Sequence, residues 1–117
     1  MAGWYREALG AFEGLDLPCE DAGGDVRGWF VFVVQLPRGV DRDETILELA
    51  QRGIQSKPYL PAIHLMSFYR ERFGWREGQF PVCEDISRRS LALPFFPGIS
   101  ESQVARVAEA LAQLLPG

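Results

Sequence analysis

The chain has 117 residues and a mass of 13.1 kDa, which suits one domain and is too short for two. Its composition, 47% hydrophobic and 24% charged, is that of a globular protein and excludes disorder along the whole chain. The net charge of −4 and the pI of about 5.0 speak against nucleic-acid binding and against a basic membrane-binding patch.

The N-terminal half predicts two helices around one strand. Apolar residues recur at helical spacing over 4–12, and Gly14 is expected to end this first helix. After a polar, glycine-rich loop, the run at 29–36 predicts a strand inside a sheet, because it is apolar on both faces. Asp41 and Glu44 form a capping-box pattern that starts the second helix. The apolar face of that helix would consist of Ile46, Leu47, Ala50 and Ile54.

The C-terminal half predicts two short strands and three helices. Residues 54–59 are expected to be extended, since Pro58 disfavours helical geometry at Lys57. A turn with a short helix over 61–73, a helix from Pro81 to about residue 89 and a strand at 91–93 follow. Ser100 begins the last helix in a second capping box. This order predicts an α/β fold (an α+β sandwich), with a small sheet of about three strands packed with helices in one domain over 1–117.

Several absences in the sequence bear on location and metal chemistry. No apolar run approaches the roughly 20 residues of a membrane-spanning helix, and the first residues have no secretory-signal pattern. Cys19 and Cys83 lie far apart, and His64 is the only histidine, so neither a disulfide nor a zinc site is indicated. We expect a cytoplasmic protein that binds no metal, no nucleic acid and no membrane.

Few residues of the sequence suggest a catalytic or ligand-binding role. A single histidine between apolar residues, as at His64, usually has a structural role, and Glu84 beside Asp85 is expected on a solvated helix surface. An acid–base site centred on His64 and Glu84 is a separate hypothesis. Arg88 and Arg89 precede a strand, where they either complement the helix dipole or supply one guanidinium to a carboxylate or phosphate.

Three spaced segments carry a resemblance to a known family. The segments GIQSKPYLPAIHL at 53–65 and GQFPVCEDISRRSLALPFF at 78–96, and the ending from Ile99 onward, are similar to the DegT/DnrJ/StrS family of sugar aminotransferases. The resemblance spans essentially the whole chain and is to the C-terminal small domain of these fold-type-I enzymes. It implies a pyridoxal-phosphate-dependent parent that moves an amino group from glutamate to a keto sugar nucleotide. It also implies a homodimer, a separate large domain that holds the cofactor, and no cofactor bound by this chain alone.

The resemblance also implies roles for five residues. His64, Tyr59 and Lys57 belong to a segment near the active-site cleft and would contact substrate, as would Ser87 and Arg88 in the second segment. None would be catalytic, and Lys57, the sole lysine, does not match the lysine that holds the cofactor. Departures from the family pattern at Ala62, Met66 and Ser67 leave the accepted sugar open. The alternative is a stand-alone, non-catalytic module that binds a small ligand or another protein.

Overall fold

The computed structural model describes residues 1–116, which form short helices around a small sheet. In chain order the elements are helix α1 (Ala2–Leu9), strand β1 (Phe32–Gln35), helix α2 (Arg42–Gln51), strand β2 (Lys57–Pro58), a 3-10 turn (Ile63–Leu65), helix α3 (Ser67–Phe73), helix α4 (Pro81–Arg89), strand β3 (Ser90–Leu93) and helix α5 (Glu101–Leu114). No helix in the described part of the chain is long and apolar enough to cross a membrane.

The sheet has three strands in the order β1-β3-β2, and both pairings are antiparallel. Strand β3 is central: Leu93 lies opposite Phe32 on one side, and Ala92 lies opposite Lys57 on the other. The predicted fold class, a small sheet packed with helices, is therefore confirmed. The central position of β3 matters for the sites described below, because it joins the end of α4 to the segment that precedes α5.

The predicted strand at 29–36 is wrong in its length and in its place. Strand β1 covers only Phe32–Gln35 and lies at the edge of the sheet rather than inside it. Phe32 and Val34 are buried, whereas Phe30 is 75% exposed. An edge strand with one face on the core needs only alternate apolar side chains to be covered, so an unbroken apolar run overestimates burial.

The core lies between the sheet, α1 and α5. The ring of Tyr5 stacks on Phe32 with 4.8 Å between centroids, and Phe32 also stacks on Phe95 at 6.3 Å. Helix α5 begins with the predicted capping box, in which Ser100 and Gln103 bond reciprocally. Its buried face is Val104, Val107, Ala108, Ala110 and Leu111. This amphipathic helix buries more residues than any other helix of residues 1–116.

Helix α2 differs from its prediction in the face that it buries. Asp41 accepts the backbone N–H of Glu44 at 3.0 Å, which is one half of the predicted capping box; the reciprocal bond from the Glu44 side chain does not form among the described residues. The buried residues, however, are Thr45 and Leu49, and Leu47 is 64% exposed. Thr45 can be buried because its hydroxyl donates to the Asp41 carbonyl at 2.8 Å, which leaves no unpaired polar group.

Candidate functional site

The most unusual side chain in the fold is the carboxylate of Glu84, in the first turn of α4. It is 2% exposed, which overturns the expectation that it lies on a solvated helix surface. The loop before α4 folds back over it: the Gly78 N–H donates to its two oxygens at 2.8 and 3.2 Å, and the Phe80 N–H donates to Oε2 at 3.1 Å. A buried carboxylate is tolerated here because backbone donors satisfy it.

His64 faces this carboxylate from the 3-10 turn. Its Nε2 lies 3.2 Å from Oε2 of Glu84, an ion-pair distance, although the angles are not those of a hydrogen bond. The imidazole is 5% exposed, and the ring of Phe80 meets it edge-on with 4.8 Å between centroids. The structure therefore brings His64 and Glu84 together as a buried pair rather than as groups open to solvent.

The surroundings of Glu84 favour its charged form. The N–H of Gly78 lowers the pKa of the Glu84 carboxyl below its ordinary value, burial opposes this, and the Phe80 N–H and His64 lower the pKa further. A general acid at neutral pH needs a raised pKa, so the environment of Glu84 is the opposite of what proton donation requires. Its geometry is that of an anchor that ties the loop at 78–80 to α4.

A cavity of about 410 Å³ lies beside this pair, and we call it the α4 cavity. It is lined by Arg42, Pro58, Leu60, Pro61, Ala62, Leu65, Met66, Glu84, Ser87 and Arg88. The guanidinium of Arg88 is 62% exposed, with Nη2 at 3.2 Å from Oε1 of Glu77 and 3.7 Å from Oε1 of Glu84. The Ser87 hydroxyl donates to the Cys83 carbonyl at 2.6 Å, so it already has a partner within α4.

The five residues expected to contact substrate are only partly brought together. Ser87 and Arg88 line the α4 cavity, and His64 lies behind it against Glu84. Lys57 is exposed on β2 and lines a second cavity of about 450 Å³, which we call the β2 cavity. Tyr59 is half-buried and is not among the lining residues of either cavity.

Two features of the α4 cavity were not expected from the sequence: the burial of Glu84 and the contact made by Arg42. Glu84 was assigned to solvent, although Gly78 and Pro81 before it are signals of a loop that turns sharply into a helix. Arg42 donates from Nη1 to the Ser87 carbonyl across 45 positions of sequence, and no local pattern indicates that contact. A contact of this kind forms only when the tertiary structure brings the start of α2 to the end of α4.

Comparison with known proteins identifies the family. The model of the DegT/DnrJ/EryC1/StrS aminotransferase family matches residues 1–112. The chain belongs to this family. The chain is also similar to the spore coat polysaccharide biosynthesis protein SpsC of Bacillus subtilis, with 30% identity over 121 residues. The match covers 100% of this chain and 31% of SpsC.

Solved structures of aminotransferases have the same fold. The chain is similar to DesV of S. venezuelae, solved in complex with a ketimine intermediate, at 31% identity and a TM-score of 0.79, covering 96% of this chain and 29% of DesV. TlmJ of Streptoalloteichus hindustanus follows at 27% identity and a TM-score of 0.78, covering 97% and 30%. This DegT/DnrJ/EryC1/StrS family chain thus spans less than a third of the length of the relatives it matches.

Family members use pyridoxal phosphate, and Lys57 is the one residue of this chain that could bind it covalently. A pyridoxal-phosphate site needs a lysine amine beside a carboxylate that pairs with the pyridine nitrogen. Lys57 is the sole lysine, and it is exposed. No Asp or Glu is among the described residues that line the β2 cavity. The residues of this chain do not fit the cofactor, and we assign them no step of its chemistry.

Proposed function

We propose that this chain serves as the C-terminal small domain of a sugar aminotransferase. In this role it forms one wall of the substrate cleft, while a larger domain provides pyridoxal phosphate and the lysine that holds it. The observation that carries the proposal is the family match over residues 1–112 of a chain that covers 31% of SpsC. The lack of fit between Lys57 and the cofactor supports the same division of labour.

The α4 cavity supports a substrate-facing role for Arg88. A guanidinium binds carboxylates and phosphates through paired hydrogen bonds, and glutamate and a sugar nucleotide supply such groups. One similar structure is described as DesI in the presence of its TDP-sugar product. In our proposal Arg88 leaves Glu77, an exposed partner at 3.2 Å, and takes the substrate anion in its place. Ser87 lines the same cavity, whereas Tyr59 and Lys57 lie outside it, and we give them no substrate contact in this proposal.

His64 has a different place in the proposal. Because its imidazole is 5% exposed and its Nε2 faces Glu84, it acts through that carboxylate rather than on the substrate. Glu84 in turn holds the Gly78 and Phe80 amides and lies 3.7 Å from Arg88. His64 is therefore a positioning residue for the rim of the α4 cavity in this proposal.

Exposed apolar side chains support the docking of a larger domain. Helix α3 buries no residue of its own, and its neighbours also leave large apolar side chains in solvent. Those of the stretch 60–86 are Leu60, Ile63, Met66, Phe68, Phe73, Phe80, Val82 and Ile86. So many apolar side chains in one stretch are typical of an interface. We propose that the large domain covers them, within a homodimeric enzyme in the cytoplasm.

The test is a chimera in which this chain replaces the aligned part of SpsC. We expect the chimera to transfer the amino group of glutamate to a keto sugar nucleotide. The KM is measured for glutamate and for the sugar nucleotide. Arg88→Gln should raise it by about tenfold for the substrate whose anionic group Arg88 binds, because one charge-assisted hydrogen-bonded contact is lost. Arg38→Gln is the matched control, since the side chain of Arg38 is 76% exposed, lies outside the stretch 60–86 and lines neither cavity.

Two outcomes would contradict the proposal. One is a folded chimera that binds pyridoxal phosphate but is inactive, which would favour a non-catalytic binding module. The other is an absorbance of an internal aldimine in this chain alone that Lys57→Ala abolishes, which would place the cofactor site here.

A further inference from the structure

The β2 cavity has a composition that the proposed function does not use. Its volume of about 450 Å³ lies in the usual range of small-molecule sites. The walls come from the segment 53–57, the end of β3, the segment that leads to α5 and α5 itself. Their apolar part includes Ile54, Leu93, Phe95, Phe96, Ile99 and Val107. Such walls suit a ligand with an apolar or aromatic body.

The polar side chains of this cavity are one hydroxyl and two cations, beside the amides of Gln55 and Gln103. The Ser56 hydroxyl oxygen is buried and has no hydrogen-bond partner among the described residues. Arg106 gives one N–H from Nη2 to the Arg52 carbonyl at 2.8 Å, and no carboxylate of residues 1–116 pairs with its guanidinium. Lys57 adds a second cation to the lining. A buried, unpaired hydroxyl is uncommon in native proteins and marks a place where a partner is missing.

The charge of the cavity is opposite to that of the protein. The chain carries a net charge of −4, yet the described residues that line the β2 cavity include two cations and no Asp or Glu. Two uncompensated cations beside an unpaired hydroxyl favour an anion, since charge-assisted hydrogen bonds are the strongest that such donors form. A ligand that had an anionic group but no apolar part would make no contact with the apolar walls.

We propose that the β2 cavity binds a small organic anion with an apolar body. Its carboxylate or sulfonate accepts hydrogen bonds from Arg106 and Ser56, and its apolar part packs on Leu93 and Phe95. This site is distinct from the α4 cavity, with which it shares no lining residue. The assignment does not rest on the aminotransferase proposal, because it uses only the lining of the cavity.

The experiment uses 2-naphthoate as the anionic probe and 2-naphthamide as its uncharged counterpart. Backbone amide shifts of the ¹⁵N-labelled chain are recorded while each probe is added. We expect 2-naphthoate to shift the amides of Gly53, Ser56 and Phe95, and to bind at least about fivefold more tightly than the amide. Because this comparison needs no variant, it remains decisive even if a substitution at the cavity impairs folding.

Variants then locate the anion. Arg106→Gln should weaken 2-naphthoate binding by about fivefold or more, with Arg106→Lys intermediate, and Ser56→Ala should weaken it by about twofold. Arg70→Gln removes the same charge outside the cavity and should leave affinity within about twofold. Equal affinity for the two probes would overturn the proposal. So would shifts centred on the exposed aromatic residues of α3, or equal losses in the Arg70 and Arg106 variants.

Discussion

The hydroxyl of Tyr5 connects the first helix to a wall of the β2 cavity, which makes Tyr5→Phe an informative change. Tyr5 is fully buried, and its hydroxyl donates to the Pro94 carbonyl at 2.5 Å. Pro94 lies at the end of β3 and lines the β2 cavity. Phenylalanine keeps the ring that stacks on Phe32 at 4.8 Å and removes only the donor.

The expected loss follows from that single contact. A typical hydrogen bond contributes about 0.5–1.5 kcal/mol net, and a carbonyl left without its partner in a partly buried place costs somewhat more. We expect Tyr5→Phe to lower the free energy of unfolding by about 1.5 kcal/mol. The change creates almost no cavity, so the larger losses of about 3–5 kcal/mol that accompany removal of an aromatic ring should not occur.

Urea unfolding followed by far-ultraviolet circular dichroism measures this loss, with the slope in urea checked for constancy. The control is Tyr69→Phe, because Tyr69 is half-buried and lies outside the core. It should change stability by less than about 0.5 kcal/mol. A Tyr5→Phe loss no larger than that of the control would refute the reasoning.

Tyr5→Phe should also change how the free energy of unfolding depends on pH in alkaline solution. Burial raises the pKa of Tyr5 above the value of about 10 that it has in the unfolded chain. The stabilisation from a neutral Tyr5 is therefore complete below pH of about 10. Above that pH the unfolded chain ionises while the native chain does not, so stability falls. The free energy of unfolding of the Tyr5→Phe variant should fall less between pH 9 and pH 11, the range of about one unit on each side of that pKa.

Three further changes probe the anchor carboxylate, the core and a helix start. Because the pKa of Glu84 is lowered in the native state, the stability that its charge contributes should be full above about pH 5 and should decline as the pH falls toward 3. Glu84→Gln should make this decline less steep, and it should speed hydrogen exchange of the Gly78 amide, which loses its acceptor. Leu111→Ala, at a fully buried position of α5, should cost about 2–5 kcal/mol in urea unfolding. Ser100→Ala removes the cap of α5 and should cost about 1 kcal/mol in the same assay.

Matched changes at exposed positions control these three. Glu109→Gln removes an exposed carboxylate from the middle of α5 and is the control for Glu84→Gln. Leu47→Ala, at a side chain that is 64% exposed, should cost less than about 0.5 kcal/mol. An acid profile unchanged by Glu84→Gln would contradict the anchor, and equal losses at Leu111 and Leu47 would contradict the observed core. Ser100→Asp keeps an oxygen that can cap α5, so a loss equal to that of Ser100→Ala would contradict the capping box.

Local sequence patterns predicted the elements whose cause is local. The capping box at Ser100, the helix that begins at Pro81 and the extended geometry before Pro58 all depend on neighbours within four residues, and the structure has each of them. The same patterns were less informative at residues 29–36. There the apolar run predicted an interior strand, whereas the pairing of the sheet places β1 at an edge.

The sequence by itself determined the fold class, the start and end of α4 and α5, and the segments that resemble the family. Only the tertiary structure decided that Glu84 is a buried anchor facing His64, and that Lys57 lines a different cavity from Arg88. From sequence alone a charged side chain is expected in solvent, because burying it is unfavourable unless hydrogen-bond donors from elsewhere in the fold surround it. Those donors, at Gly78 and Phe80, become available to Glu84 when the loop folds over the first turn of α4.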